Sequence, residues 1–188
     1  MTILRHAFAG ALFLATATGA FVAQAADFIT IQLKDGPVVI ELNDKAPKHA
    51  ERIKALAAGG EYDNVAFHRV IEGFMAQTGD VQYGDMENGY QPQAAGTGGS
   101  SLPDLPAEFS DIPFERGTVG MARAQDPNSA NSQFFIMFAP GDFLNGQYTV
   151  VGKVVSGMEN VDKIKRGDEA NNGSVTDPDR MIKVTVGK

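Results

Sequence analysis

Two alternating apolar runs placed back to back constrain this chain most. Ile29, Ile31 and Leu33 point one way along the first run and Thr30 and Gln32 the other; Val38, Ile40 and Leu42 repeat the pattern. Asp35-Gly36 separates the runs. Period-2 patterning on both arms, with turn residues between, predicts a β-hairpin with one buried face. Other elements must cover that face. Further short apolar runs lie at Val65 to Ile71, Phe74 to Gln77, Thr118 to Ala122, Phe134 to Phe138, Val150 to Val155 and Met181 to Val186. Each predicts a strand. One helix is predicted from Pro47, with Ala50, Ile53 and Ala57 on one face and Gly59-Gly60 as its stop. A second is predicted over Met158 to Lys165, with Met158, Val161 and Ile164 on one face and Gly167 ending it. Many short strands with few long crossovers predict a mainly β chain, an antiparallel barrel capped by two α-helices. Between them, Val81 to Arg116 carries Pro92, Pro103, Pro106 and Pro113 with Gly96, Gly98 and Gly99, which predicts a long irregular loop. A loop of that length inside a compact domain is usually functional.

Residues 1–25 read as an address. Arg5 precedes an apolar, small-residue run from Ala7 to Ala23, and Ala23-Gln24-Ala25 fits a cleavage site before Ala26. The alternative, a membrane anchor, lacks a basic stop-transfer flank. Residues 26–188 then form one domain, exported to a periplasm and free of the membrane once the signal peptide is removed. The chain has 0 Cys, which excludes disulfides, thiol catalysis and Cys zinc sites. His49 and His68, the histidines outside the leader, fall on different elements, so no metal or cofactor is expected. Asp+Glu 23 against Lys+Arg 16, a net charge of -7, argues against a nucleic-acid partner.

Some motifs carry little. Gly96-Thr97-Gly98-Gly99 lacks the Lys-Ser and helix of a phosphate loop. Ser100 and Ser101 have no nucleophile-elbow context. Asn172-Gly173-Ser174 matches a glycosylation sequon, as a chance triplet can. The informative stretch runs from Phe67-His68-Arg69 to Phe74-Met75-Ala76-Gln77-Thr78-Gly79-Asp80. Here an Arg stands in an apolar strand, and Arg is rarely buried unless paired or used. A surface salt bridge is the plainer alternative. Two more clusters follow: Met121-Ala122-Arg123-Ala124 with Ser132-Gln133-Phe134-Phe135-Ile136, and Phe143-Leu144-Asn145-Gly146-Gln147-Tyr148.

Together these residues resemble the cyclophilin-type peptidyl-prolyl isomerases, over Phe28 to Val186. The signature lies along Tyr62 to Gly79, and the other two clusters match in order. The resemblance implies a closed eight-stranded antiparallel barrel with a helix at each end. It implies acceleration of X–Pro bond rotation without cofactor or metal. Arg69 would donate to the proline nitrogen and Gln77 would fix Arg69. Phe74, Met75, Phe135 and Leu144 would form the proline floor, with Phe143 on its rim. Gln133 and the backbone at Ala122, Arg123 and Ala124 would hold the peptide, and Gly96 would line a neighbouring subsite. His68, next to Arg69 on a strand, faces the opposite way and reads as a core histidine.

The implied partners are proline-containing peptides and folding exported proteins, met by a monomer. Departures from the family pattern add expectations. Phe143 stands where many members have a Trp that hydrogen-bonds cyclosporin, so cyclosporin should bind weakly. Tyr148 replaces a common His. Arg123 replaces a common Asn and would favour acidic residues before proline. The Val81 to Ala95 insert is longer than usual and bears on the second subsite. Two other classes stay open: a non-catalytic peptide-binding module or holdase using the same groove, and a small-ligand carrier barrel.

Overall fold

Alternation sets the register of the first hairpin. In the computed structural model, which describes residues 27–187, β1 (Phe28–Leu33) pairs antiparallel with β2 (Gly36–Leu42). Ile29 lies opposite Ile40 and Ile31 opposite Val38, so the inward side chains share one face and are buried. The signal-peptide reading of residues 1–25 lies outside the described residues. A Pro-initiated helix follows, α1 (Pro47–Ala58), burying His49, Ala50, Arg52, Ile53, Leu56 and Ala57. Its C-cap, Gly59, donates to the Ala55 carbonyl. The remaining elements are β3 (Arg69–Ile71), β4 (Met75–Thr78), β5 (Thr118–Met121), β6 (Phe134–Met137), β7 (Val150–Ser156), α2 (Met158–Val161) and β8 (Lys183–Gly187). The loop predicted over Val81 to Arg116 carries no helix or strand.

The strands form one 8-stranded antiparallel sheet in the order β3-β4-β6-β5-β7-β2-β1-β8. The expected closed barrel is corrected here: the sheet curls but its ladder is open, since β3 and β8 do not pair. Irregular backbone contacts span the seam instead. Phe67 N–H donates to Asp179 O (2.8 Å), Met181 N–H to Val65 O (2.9 Å) and Val70 N–H to Gly173 O (2.8 Å). The reason is local. Asn172, Gly173 and Asp177 sit at positive φ, and Pro178 has no N–H, so residues 172–178 cannot lie flat as a strand. Lacking a regular partner, the strand predicted over Val65 to Ile71 shrinks to Arg69–Ile71. The second helix also ends early, at Val161 rather than Lys165. Lys163 and Ile164 N–H groups turn tightly onto Asn160 and Val161, and the Lys165 N–H goes to Asp179 (2.8 Å). Ile164 is still buried.

Two apolar clusters flank the sheet. The larger fills its concave side with Tyr62, Phe67, Phe134, Ile136 and the hairpin residues, as a packed core. The smaller gathers Met75, Phe114, Phe135, Met137, Leu144 and Val150 on the other side. β4 and β6 feed both, because alternate residues leave a strand in opposite directions. Ala76, Phe134 and Ile136 enter the core, while Met75, Phe135 and Met137 enter the smaller cluster.

Candidate active site

Strand register assembles the site. Arg69 pairs with Gln77 across β3–β4, Gln77 with Phe135 across β4–β6, and Phe135 with Gly120 across β6–β5. The four residues form one row across the outer face of the sheet. At the far end Gly120 is required by close approach: a Cβ there would stand 2.4 Å from Phe135 Cζ and 2.6 Å from Phe114 Cε1. The two phenyl rings stack over the bare glycine with centroids 5.7 Å apart. Gly120 and Phe114 were not nominated from sequence. A glycine inside a strand pattern marks such an approach and could have flagged the first.

A directed chain of hydrogen bonds runs from the guanidinium. Arg69 Nη1 donates to Gln77 Oε1 (3.3 Å), Gln77 Nε2 to Gln133 Oε1 (3.0 Å), and Gln133 Nε2 to Gly98 O (2.8 Å). Arg69 Nε donates to the Asn172 carbonyl (3.0 Å) and Nη2 to Asn172 Oδ1 (2.9 Å). Nη1 also lies 4.0 Å from Met75 Sδ. Among the described residues Arg69 pairs with no carboxylate, unlike Arg116 and Arg166. The salt-bridge alternative therefore does not hold, and the charge beside the apolar floor is uncompensated. Partial burial draws the guanidinium's pKa below its ordinary value, yet an arginine stays cationic at working pH.

The floor is Met75, Phe135 and Leu144, all buried, with Phe74 half-buried beside them. Leu144 ends a single 3-10 turn, Asp142–Leu144. Phe143, on the same turn, is 66% exposed and packs on Phe74 with ring centroids 5.5 Å apart. Tyr148 meets Phe135 edge-on at 6.0 Å. Arg123 lies over the Tyr148 ring at 4.4 Å, and its donors go to the carbonyls of Gln147, Ala124 and Gln125.

A hollow of about 520 Å³ adjoins this floor, lined among others by Gln77, Gly96, Gly98, Ala122, Ala124 and Gln133. Buried Asp80 shapes its wall. One carboxylate oxygen accepts from the N–H groups of Gly96 (2.7 Å) and Gly98 (3.0 Å), the other from Gln82 (3.1 Å) and Tyr83 (2.9 Å). The insert Val81 to Ala95 does not line the hollow. It folds back toward Asn64 and Val65 through Met86 N–H to Asn64 O and the Val65–Asp85 bridge. Gly96 backs onto His68, whose Cδ2 would lie 3.0 Å from an added Cβ. Burial pushes the His68 imidazole down to about 4, so it is neutral at pH 7. A larger hollow of about 760 Å³, between α1, β2 and β7, is lined by none of the residues nominated from sequence. Among the described residues no group of three or more His, Asp or Glu is placed to hold a metal ion.

The family model described as cyclophilin type peptidyl-prolyl cis-trans isomerase/CLD matches residues 28–186. The chain belongs to the cyclophilin-type peptidyl-prolyl cis-trans isomerases. A probable peptidyl-prolyl cis-trans isomerase of Brucella suis biovar 1 is 62% identical to this cyclophilin over 191 residues, covering 99% of this chain and 97% of the relative. The isomerase CYP18-1 of Arabidopsis thaliana is 34% identical over 165 residues, covering 84% of this chain and 94% of the relative. Among solved structures, a Cryptosporidium parvum cyclophilin crystallised in the presence of the dipeptide Ala-Pro superposes with a TM-score of 0.72 at 28% identity. The superposition covers 86% of this chain and 99% of that one. This cyclophilin is thus an enzyme of the peptidyl-prolyl cis-trans isomerase class, and Arg69, Gln77, Phe135 and Gly120 lie in one row across its sheet.

Proposed function

We propose that this cyclophilin accelerates X–Pro rotation in exported proteins by hydrogen-bonding the twisted amide through Arg69. Amide resonance sets a barrier of about 18–20 kcal/mol, and uncatalysed exchange takes tens to hundreds of seconds. As the bond twists, the proline nitrogen loses conjugation and gains a free lone pair. A fixed cationic donor beside it binds that state better than either planar isomer, and the difference is the catalysis. Bringing a 100 s event to about 1 ms requires roughly 7 kcal/mol of such preference. No bond breaks, so neither nucleophile nor cofactor enters.

The observation that carries this reading is an arginine with no carboxylate partner among the described residues, oriented by neutral acceptors beside the buried floor of Met75, Phe135 and Leu144. The proline ring sits on that floor, with Phe74 and Phe143 at its edge. Gln133 and the backbone at Ala122, Arg123 and Ala124 hold the extended peptide, and an upstream side chain enters the hollow beside Gly96. Tyr148, under Arg123, closes the far wall. Arg123 spends its donors on carbonyls, so its preference for an acidic residue before proline acts through charge. The leader pattern of residues 1–25 supports export to a periplasm, where the mature protein works as a monomer without a metal, a membrane anchor or nucleic acid.

The test is cis/trans exchange of a short Ala-Pro peptide, followed by NMR line shapes with wild type and Arg69→Ala side by side. Wild type accelerates exchange, and the folded variant loses at least about a hundredfold of that rate. A folded wild type that binds the peptide without accelerating its exchange would refute the catalytic reading and leave a recognition groove.

A further inference from the structure

We propose that Asn172 is the positioning residue that sets the plane of the Arg69 guanidinium, which makes the 168–174 loop part of the catalytic apparatus; this rests on the reading of Arg69 as donor. A guanidinium is a planar fork of five N–H groups on a flexible stem. Its direction matters as much as its charge, because the donor must meet a lone pair that exists only in the twisted state. Gln77 alone fixes one corner, at Nη1 (3.3 Å). Asn172 takes the opposite edge twice, with its backbone carbonyl on Nε (3.0 Å) and its side-chain oxygen on Nη2 (2.9 Å). Those contacts forbid rotation about the Nε–Cζ bond and leave the remaining hydrogens of Nη1 and Nη2 for the substrate.

One residue supplies both acceptors because of its backbone. Asn172 sits at φ 54 and ψ 34, the left-handed region that asparagine tolerates better than most residues. The loop that holds it there is tightly built. Asp168 accepts from Ala170 N–H (2.9 Å) and Asn171 Nδ2 (2.8 Å), and its carbonyl accepts from Gly173 N–H (2.8 Å). Two backbone bonds fasten the loop to Val70, beside Arg69: Val70 N–H to Gly173 O and Gly167 N–H to Val70 O, both 2.8 Å. The arginine and its acceptor therefore move as one body. The open seam makes this possible. The irregular backbone at the seam turns the Asn172 carbonyl toward the guanidinium instead of toward a neighbouring strand. Both orienting side chains, Gln77 and Asn172, are neutral amides, so the cation is aimed without being neutralised.

The test uses the full mature chain and two variants. Asn172→Gly keeps the left-handed backbone and the carbonyl and removes only the Nη2 acceptor. Asn172→Asp is isosteric and puts a carboxylate on the guanidinium. Peptide exchange rate, peptide affinity and the 15Nη signals of Arg69 are measured for each. Asn172→Gly should lose about tenfold in catalysed rate, as expected for a lost bond to a charged group, with peptide affinity changed by less than about twofold. Its Arg69 Nη signals should coalesce as Nε–Cζ rotation is freed. Asn172→Asp should be slow at neutral pH and recover rate as the new carboxylate is protonated, a pH profile absent from wild type. A merely structural role would move neither the Nη signals nor that profile. If Arg69→Ala loses the rate while Asn172→Gly keeps it, the Asn172 proposal fails alone. If Arg69→Ala keeps the rate, the donor reading fails and this proposal with it.

Discussion

The β1–β2 hairpin and the seam between β3 and β8 belong to the same sheet and are built by opposite rules. In the hairpin every inward residue is apolar and buried, and the ladder runs without a break from Phe28–Glu41 to Leu33–Gly36. At the seam the ladder fails, three residues between 172 and 177 take positive φ, and backbone carbonyls face side chains. Regular pairing consumes every N–H and C=O it can. Irregular pairing leaves some free, and one of these, on Asn172, is the acceptor that Arg69 uses. The hairpin holds the fold, and the seam holds the acceptors of Arg69, the proposed donor.

Truncating Ile40 in the hairpin should give the largest effect on stability. It is fully buried in the main core, and its loss should cost about 2–5 kcal/mol. Urea melts would register the loss, while exchange activity per folded molecule should stay near wild type. Arg69→Ala should invert that result, with an unchanged melt and lost activity. Parallel losses in both assays for either variant would remove the division between the two regions.

The contrast also explains what could be read in advance. The hairpin, α1 and the floor residues Met75, Phe135 and Leu144 follow from alternation, helix stops and motif, all carried by side-chain type. Asn172 was visible only as part of a sequon, because its role depends on a φ angle and a carbonyl that no residue pattern encodes. Gly120 is marked only as a glycine inside a strand run, because its contribution is the absence of a side chain beneath Phe135. The closed barrel is what the family resemblance implies, and the open ladder departs from it at the last connection. Pro178 and the adjacent Asp177 were the available signs that the last connection could not pair.

Acid should separate the two regions next. His68 precedes Arg69 and is tied to the seam, its carbonyl accepting from Val175 N–H (3.1 Å). Among the described residues both ring nitrogens are buried without a well-formed hydrogen bond, and burial, outweighing the pull of Asp80 and the Ala66 backbone, pushes the imidazole down to about 4 from 6.5. Below about pH 6.5 the unfolded chain binds a proton that the native state refuses, so stability is full above that pH and falls toward pH 4. The shift corresponds to a loss of about 3 kcal/mol at the lower end. His49 works in the same direction, because burial outweighs the pull of Glu108. Burial opposes ionisation of Glu108, but bonds from His49 and the α1 amides prevail and hold its pKa down, so its own contribution is lost only at lower pH. Hydrogen exchange at about pH 5 should show amides at the seam losing protection before those of β1 and β2. Stability that stays flat between about pH 6.5 and pH 4.5 would contradict the assignment of a neutral, buried His68.

The smallest effect should come from the rim of the site, where neither region's rule applies. Phe143 is exposed, rests on Phe74 and makes no hydrogen bond through its ring. The family resemblance implies that a Trp at this position would donate to cyclosporin; the phenyl ring supplies area here but no donor. Phe143→Trp keeps the aromatic contact with Phe74 and adds one N–H facing solvent. One neutral hydrogen bond is worth about 0.5–1.5 kcal/mol, so cyclosporin should bind up to about tenfold tighter by titration calorimetry. Under the proposed mechanism, in which the twisted amide meets Arg69 and the floor, catalysed exchange should change by less than about twofold. An equal gain in both assays would mean that Phe143 contacts the reacting bond. A gain in neither would mean that the rim, like the seam, owes its geometry to backbone that a side-chain exchange does not reach.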